Sequence, residues 1–299
     1  MPALRTLLFA PGNHPRKVEK VFGLEADAVI LDLEDAVANS EKSATRAPVL
    51  TALQNNYNNR SNSGNNSLGY VRVNSMDTDF CFADIQHMVA YGVDGIMLPK
   101  VESCHQLYAA DWMINALEKE RGIEPGSIDL LPIIESAIGL RDIHDICSSG
   151  TRVKRLAFGA ADYTIDVSMD WSNDEFELEH ARTTIAVASR AAGLEPPIDS
   201  VWVEIKDEAG YEASCRRARK LGYQGKMCIY PPQIKPGNLA FSPSPEQLTR
   251  AQEIIQAFEK AEREGSASIQ LNGQFIDYPI VEKARRVMAL AAKISGDSE

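Results

Sequence analysis

The chain has 299 residues, of which 44% are hydrophobic and 24% charged, a composition that excludes a disordered chain, a collagen-like fibre and a disulfide-dense miniprotein. Its 31 basic and 42 acidic side chains give a formal net charge of −11, which disfavours nucleic acid as a partner. Five scattered cysteines lack metal-ligand spacing, so we expect reduced thiols. No secretory signal and no apolar run of membrane-spanning length is present, which predicts a cytoplasmic protein without a membrane segment.

Eight short apolar runs rich in β-branched residues recur at 6–10, 28–33, 70–73, 95–98, 131–134, 155–158, 200–204 and 226–229. Several are apolar throughout, which favours parallel strands covered on both faces. Helix-like patterns fill many of the gaps, at 14–22, 79–91, 104–121, 176–192 and 208–221. Because no glycine-rich nucleotide-binding motif stands at any βα turn, this alternation predicts an α/β fold, a (β/α)8 TIM barrel over residues 1–240.

Two segments fall outside the βα repeat. Residues 55–66 (NNYNNRSNSGNN) lack apolar periodicity and are predicted to form an exposed loop. Residues 241–299 predict a C-terminal helical extension, with helices over 245–264 and 281–294 and a short hairpin-like piece, LNGQFIDYP, between them. We expect this extension to act as a lid over a pocket or to reach a neighbouring subunit.

Polar side chains follow several predicted strands, at the barrel face where TIM barrels place their active sites. They include Asp32, Glu34, Asp35, Arg72, Lys100, Glu135 and Asp162. Acids that converge from neighbouring strands repel one another unless they share a proton or a cation. Two carboxylates completed by water and substrate oxygens are typical of Mg²⁺, so Glu135 and Asp162 are predicted metal ligands. No histidine stands near these strand ends, which disfavours zinc.

Three of these residues also admit a structural role. Arg72 either holds a substrate carboxylate or forms an ion pair that neutralises Glu34 or Asp35, and the sequence leaves both open. Asp162 is also placed to cap the helix that follows it. Lys100 is also placed to extend from the barrel rim into water.

Several blocks of the sequence resemble one known family. They are RTLLFAPGNHPRKVEK (5–20), AVILDLEDAV (28–37), VRVNSMDT (71–78), GIMLPKVES (95–103), LPIIESAIGL (131–140), FGAADY (158–163), IYPPQI (229–234) and NGQFIDYPIVEKAR (272–285). Together and in this order they make the chain similar to the citrate lyase beta-subunit-like proteins. That group includes malyl-CoA and citramalyl-CoA lyases and belongs to the HpcH/HpaI aldolase superfamily.

The resemblance implies an oxo-acid-lyase, a Mg²⁺-dependent carbon–carbon lyase. Its substrate would be a 3-hydroxyacyl-CoA with a carboxylate on the hydroxyl carbon, cleaved by retro-Claisen chemistry into acetyl- or propionyl-CoA and a 2-oxoacid. The family's metal ligands fall on Glu135 and Asp162, and its substrate-orienting arginine falls on Arg72. Asp277 is implied as a general acid on a mobile segment that covers the active site of an adjacent subunit, in a homotrimer or hexamer.

Further candidates complete the expected site. Glu34 is a third candidate catalytic residue, in addition to Arg72 and Asp277. Arg16 and Lys17 are candidate contacts to the phosphates of coenzyme A, although charges on a helix are also commonly just solvated.

Three positions depart from the family pattern. Ala161 stands where the family commonly has an acid, and Tyr230 and Pro232 change a common I-H-P-[SA]-Q motif. These departures put the affinity for CoA and the acyl-chain preference in question.

Other functions stay open at this point. One is the beta subunit of a citrate lyase complex, which cleaves a citryl thioester on an acyl carrier protein to oxaloacetate. Another is a metal-dependent 2-oxoacid aldolase that uses no thioester. A third, from a different class, is a non-catalytic homologue that binds metal and ligand.

Overall fold

Eight parallel strands close into a barrel in chain order in the computed structural model, which describes residues 3–63 and 66–295. The barrel strands are β1 (Thr6–Pro11), β2 (Ala28–Asp32), β3 (Leu68–Arg72), β4 (Gly95–Leu98), β5 (Asp129–Ile134), β6 (Ala157–Phe158), β7 (Ile198–Asp199) and β8 (Gly225–Cys228). Each strand pairs with the next and β8 pairs with β1. The predicted (β/α)8 barrel is therefore confirmed.

Helices connect the strands and continue after them. They are α1 (Pro15–Val21), α2 (Lys42–Ser63), α3 (Cys81–Met88), α4 (Cys104–Glu120), α5 (Ala137–Arg141), α6 (Ile143–Cys147), α7 (Ala160–Asp166), α8 (Glu179–Ala191), α9 (Glu208–Lys220), α10 (Ile234–Phe241), α11 (Pro245–Arg263) and α12 (Tyr278–Ser295). Short 3-10 helices cover Phe176–Leu178 and Pro231–Gln233. Within the described ranges, no helix combines the length and the apolar character that a bilayer span requires.

The inside of the barrel is an apolar core. It is filled by buried side chains from successive strands, including Leu7, Ile30, Met97, Ile133, Ile198 and Met227. Tyr70 packs against Gly95, where a Cβ would lie 2.2 Å from the tyrosine ring, and its hydroxyl donates to Asp129 Oδ2 at 2.8 Å. Because the interior is packed in this way, polar chemistry is left to the strand ends and the loops that follow them.

The seventh predicted strand is wrong in position. Residues 200–204 are not a strand, and β7 is the two-residue Ile198–Asp199, paired with β8 through Asp199 and Lys226. Arg182 Nε and Lys226 Nζ both donate to the buried Asp199 carboxylate. Aspartate is disfavoured in strands, so a buried ion-pair network that no local pattern reveals keeps it there.

The Asn-rich tract is helical rather than a loop. Helix α2 continues through it to Ser63, so the loop prediction is wrong for residues 55–63, while residues 64 and 65 lie outside the described residues. Asn56 Nδ2 donates to the Ser67 carbonyl at 3.0 Å, and Arg60 Nη1 donates to Asp94 Oδ1 at 2.8 Å. Asparagine is a weak helix former, so tertiary contacts override the local preference.

The chain divides into two compact units, one of residues 4–238 and one that begins at Leu239 and includes Ala3. The second unit contains α11, α12 and a hairpin of β9 (Ile269–Leu271) and β10 (Gln274–Ile276). Asn272 and Gly273 join its strands with φ of 50° and 81°, the left-handed pair that a type I′ turn needs. Its own core contains Ala251, Ile254, Phe258, Ile276, Val281 and Ala284. The predicted helices and hairpin are present, and the lid role stays a prediction.

Candidate functional site

The last residues of two neighbouring strands form the central ion pair. Asp32 and Arg72 are in register in the β2–β3 ladder, and Arg72 Nε and Nη2 donate to the two Asp32 carboxylate oxygens at 2.8 and 2.7 Å. The backbone N–H groups of Glu34 and Ala36 donate to the same carboxylate. Burial raises the pKa of Asp32, but Arg72 and these N–H groups outweigh it and hold that pKa below its usual value. Asp32 is thus a fixed anion that orients Arg72.

Arg72 is surrounded by acidic groups. Its Nη1 lies 3.0 Å from Glu34 Oε2 and 3.7 Å from Asp35 Oδ2, and its guanidinium lies 4.9 Å from the ring centroid of Phe9. Burial lowers the pKa of Arg72, but Asp32 and Glu34 raise it overall, so the group is a permanent cation. The ion pair that the sequence left open exists, with Asp32 as the main partner. That Arg72 contacts a substrate stays a prediction.

Lys100, which follows β4, contacts the same acidic groups. Its Nζ donates to Glu34 Oε1 at 2.9 Å and lies 3.8 Å from Asp35 Oδ1. Burial raises the pKa of Glu34 and Asp35 adds to this, while Arg72 and Lys100 oppose it, and the net pKa is raised. Lys100 is therefore bound to the acids at the strand ends and does not merely extend into water.

The backbone of Lys100 is in the left-handed region. Its φ of 53° costs a non-glycine residue about 1–2 kcal/mol. The Lys100 N–H donates to Glu135 Oε1 at 2.7 Å. Lys100 thus binds Glu34 with its side chain and Glu135 with its backbone. These bonds offset the cost of its left-handed backbone, as strained positions require.

Glu135 follows β5 directly and is 4% exposed. A Cβ at position 159 would lie 2.3 Å from Glu135 Oε2 and 2.7 Å from Glu135 Cβ, so only Gly159 leaves room for this carboxyl group. Burial, followed by the charges of Glu34 and Asp162, raises the pKa of Glu135 to about 8, although Arg72 opposes the shift.

Asp162 lies in the first turn of α7, the helix that follows β6. The N-cap of this described helix is Gly159, and no side-chain cap bond is present. The capping role that the sequence left open is therefore not what the structure shows. The charge of Asp162 instead acts on Glu135 and on Lys100.

These strand ends carry more negative than positive charge. We define the acid cluster as Asp32, Glu34, Asp35, Glu135 and Asp162, which faces the two cations Arg72 and Lys100. Across residues 3–63 and 66–295, no three His, Cys, Asp or Glu side chains group as a complete metal-binding set. Glu135 and Asp162 are close enough for their charges to interact, and two carboxylates completed by water or substrate oxygens are the usual arrangement for Mg²⁺. That these two residues hold the metal stays a prediction.

Buried polar residues behind the cluster support the loop after β2. Lys42, which is buried, donates from Nζ to the carbonyl groups of Leu33 at 3.1 Å and Glu34 at 2.7 Å, and to Asn74 Oδ1 at 2.6 Å. Asn74 Nδ2 in turn donates to the Leu33 carbonyl and to Asp84. These bonds fix the backbone of Glu34, and hence the position of its carboxyl group.

The candidate CoA contacts lie apart from this ion-pair network. Arg16 and Lys17 are exposed in the first turn of α1, and no ion pair links them to the acid cluster within the part of the chain that the structure describes. Ala161, Tyr230 and Pro232 are also exposed. All of these side chains are accessible to a ligand, and their roles stay predictions.

Asp277 belongs to the second unit and lies at the start of α12. Its Oδ1 accepts the Ile280 N–H at 3.4 Å, and its carbonyl accepts the Val281 N–H at 3.0 Å. Asp277 is therefore the N-terminal cap of the last helix. Its predicted acid role is neither supported nor opposed by these contacts.

Sequence reasoning missed three contributors to the site. Lys42 was not singled out, Gly159 appeared only within the block FGAADY (158–163), and Lys100 was named at a strand end without a role in the site. A lysine placed after a buried apolar strand and a proline was a usable signal for Lys100. No local pattern reveals that Gly159 faces Glu135 or that Lys42 is buried.

Comparison with known proteins identifies the family. Residues 5–231 match the model of the HpcH/HpaI aldolase/citrate lyase family. The chain belongs to this family. It is 38% identical to the citrate lyase subunit beta of Leuconostoc mesenteroides subsp. cremoris, over 96% of this chain and 93% of that protein. It is 31% identical to the L-malyl-CoA/beta-methylmalyl-CoA lyase of Cereibacter sphaeroides, over 97% of this chain and 95% of that protein.

A solved structure shares the architecture over almost the whole chain. The protein CitE from Mycobacterium tuberculosis, in complex with magnesium, acetoacetate and coenzyme A, is 26% identical with a TM-score of 0.74, and covers 97% of this chain and 98% of its own. The predicted family resemblance and the predicted enzyme class, an oxo-acid lyase, are confirmed by these relatives.

Proposed function

We propose that the protein is a Mg²⁺-dependent carbon–carbon lyase that cleaves a 3-hydroxyacyl-CoA of the malyl-CoA or citramalyl-CoA type. The products would be acetyl- or propionyl-CoA and a 2-oxoacid. The observation that carries the proposal is the acid cluster with Arg72 and Lys100 at the barrel strand ends. It is an anionic site with two placed cations, suited to a divalent metal and a substrate rich in oxygen anions.

Glu135 and Asp162 would hold the metal. Burial and the charges of Glu34 and Asp162 raise the pKa of Glu135, a shift that a bound divalent cation would oppose, and the CitE relative solved with magnesium supports the choice of ion. When bound, Mg²⁺ would supply a Lewis acid to the hydroxyl and carboxylate oxygens of the substrate.

The protein's own groups would move protons and stabilise charge. Arg72 would stabilise the oxyanion that develops as the carbon–carbon bond breaks. Glu34, whose pKa burial raises, is our candidate for the base that accepts the hydroxyl proton. Asp277 would donate a proton to the thioester enolate, delivered from the C-terminal segment of an adjacent subunit of a homotrimer or hexamer.

Coenzyme A would bind outside the acid cluster. Arg16 and Lys17 are exposed cations at the start of the helix that follows β1, and we assign them to the CoA phosphates. The CitE complex with coenzyme A supports a CoA-linked substrate.

We place the enzyme in the cytoplasm.

A second candidate substrate is a citryl thioester on an acyl carrier protein, cleaved to oxaloacetate. It is favoured by the 38% identity to a citrate lyase subunit beta. The same residues would act in either case, because the two reactions share the hydroxyl, the adjacent carboxylate and the thioester.

The test is a coupled assay on the purified protein with L-malyl-CoA, citramalyl-CoA and citryl-CoA, with and without Mg²⁺, and with the Asp277→Ala variant. We expect Mg²⁺-dependent release of glyoxylate or pyruvate that Asp277→Ala abolishes while Mg²⁺ affinity stays unchanged. Release of oxaloacetate alone would favour the citryl substrate. No release from any thioester, despite Mg²⁺ binding, would refute the lyase.

A further inference from the structure

The two cations at the acid cluster differ in solvent exposure and in the number of acidic groups that they already contact. Arg72 donates twice to Asp32 and has Glu34 and Asp35 within 3.7 Å, and its side chain is 13% exposed. The Lys100 side chain is 37% exposed. An incoming anion therefore meets a guanidinium that several acids already surround and an ammonium that is more exposed and forms one hydrogen bond, to Glu34.

The Lys100 ammonium has donors to spare. It carries three N–H groups, of which one is used by Glu34 Oε1 at 2.9 Å, while Asp35 Oδ1 at 3.8 Å is beyond hydrogen-bond distance. The remaining donors can bind a ligand oxygen without breaking the bond to Glu34.

Lys100 is also held beside the two candidate metal ligands. Its own N–H binds Glu135 Oε1 at 2.7 Å, and its ammonium is close enough to Asp162 for their charges to interact. The backbone of Lys100 is left-handed, with φ of 53°. A non-glycine residue in that conformation marks a position that the surrounding structure fixes.

We propose that Lys100 Nζ binds the carboxylate of the 2-oxoacid portion of the substrate and selects for that carboxylate. The inference rests on the proposed lyase function and adds to it a residue that determines specificity. A carboxylate accepts a charge-assisted hydrogen bond from an ammonium, and a substrate without that carboxylate would leave the Lys100 donors unpaired, which costs affinity.

The experiment measures three affinities by calorimetry, for Mg²⁺ alone, for glyoxylate or pyruvate with Mg²⁺ present, and for acetyl-CoA. The variant is Lys100→Met, which keeps the length of the side chain and the backbone N–H but removes the charge. Lys100→Arg tests rescue by another cation. Lys119→Met is the matched control, because Lys119 is exposed near the end of α4 and helices of this fold end at the opposite face of the barrel.

In Lys100→Met we expect the Kd of the 2-oxoacid to rise roughly 10- to 100-fold, the loss of one charge-assisted hydrogen bond. The Kd of Mg²⁺ should stay level or fall, because a like charge near the metal ligands is removed. Acetyl-CoA affinity should not change, Lys100→Arg should recover most of the 2-oxoacid affinity, and Lys119→Met should behave as wild type.

Other outcomes overturn the inference in distinguishable ways. If Lys100→Met weakens Mg²⁺ and the 2-oxoacid together and lowers Tm, Lys100 has only a structural role. If it weakens acetyl-CoA instead, Lys100 serves the thioester. If wild type cleaves a thioester and Lys100→Met binds the 2-oxoacid normally, the inference fails and the lyase stands. If wild type neither cleaves a thioester nor binds a 2-oxoacid, both fail.

Discussion

Replacing Gly159 by alanine should displace Glu135 and weaken metal binding while the barrel remains folded. The added Cβ would lie 2.3 Å from Glu135 Oε2, 2.7 Å from Glu135 Cβ and 3.0 Å from Ile133 Cγ2. Rotation of the carboxylate relieves only the first of these contacts, because the Glu135 Cβ is fixed to the backbone directly after β5. The side chain and the adjoining backbone must therefore shift together.

The cost of this shift has two parts. Overpacking a buried site costs about 1–3 kcal/mol. Moving the carboxylate also disrupts its hydrogen bond from the Lys100 N–H, now 2.7 Å long, which leaves a buried acceptor unpaired at a cost of about 1–3 kcal/mol. We expect Tm to fall by roughly 5–10 °C and the Kd of Mg²⁺ to rise roughly 10- to 100-fold, as when a group that orients a metal ligand is lost.

Thermal unfolding and Mg²⁺ calorimetry on Gly159→Ala would measure both effects. Gly23→Ala is the matched control, because a Cβ there meets only the Lys20 carbonyl oxygen, at an ordinary 3.5 Å. That variant should unfold at or slightly above the wild-type Tm and bind Mg²⁺ normally. A folded Gly159→Ala protein with wild-type Mg²⁺ affinity would refute the assignment of Glu135 as a ligand in this geometry.

Two further predictions concern the charges of the site. Because the pKa of Glu135 is raised from 4.5 to about 8, Mg²⁺ binding near pH 7 should release about one proton. The Kd of Mg²⁺ should therefore fall roughly tenfold for each unit by which the pH rises toward 8. Calorimetry in buffers of different ionisation enthalpy measures both effects, and a pH-independent Kd would contradict the prediction. The same upward shift means that the metal-free protein should lose about 1.4 kcal/mol of stability per pH unit as pH rises from about 4.5 to about 8. Lys42→Met should lower the free energy of unfolding by about 2–4 kcal/mol, because it leaves the Glu34 carbonyl and Asn74 Oδ1 without their Lys42 donor and removes one of the two donors to the Leu33 carbonyl. A change under about 0.5 kcal/mol in urea denaturation would show that water replaces the ammonium.

The barrel and the location of its chemistry follow from the sequence. Continuous apolar runs such as 28–33 and 131–134 form buried parallel strands because burial on both faces needs that pattern. The polar residues that end them, among them Arg72 and Glu135, must then gather at one face, because parallel strands all end there. These features depend on periodicity, which is a local property of the chain.

Other features depend on partners that are distant in sequence. The Asn-rich end of α2 is helical because Asn56 and Arg60 find acceptors at Ser67 and Asp94, which local helix propensity does not anticipate. Asp199 stands in β7 because buried cations neutralise it. In both cases a tertiary contact outweighs a local preference of a few tenths of a kcal/mol to about 1 kcal/mol.

The sequence alone determined which residue types stand at the strand ends, but only the tertiary structure decided what each one does there. Arg72 is matched first to Asp32 because register in the β2–β3 ladder puts them side by side. Lys100 binds Glu34 with its side chain and Glu135 with its backbone N–H, across the fold from two other strand ends. The pKa of Glu135 rises to about 8 because burial and neighbouring acids act on it together. Charge interactions depend on distance and solvent exposure, which a linear sequence does not contain.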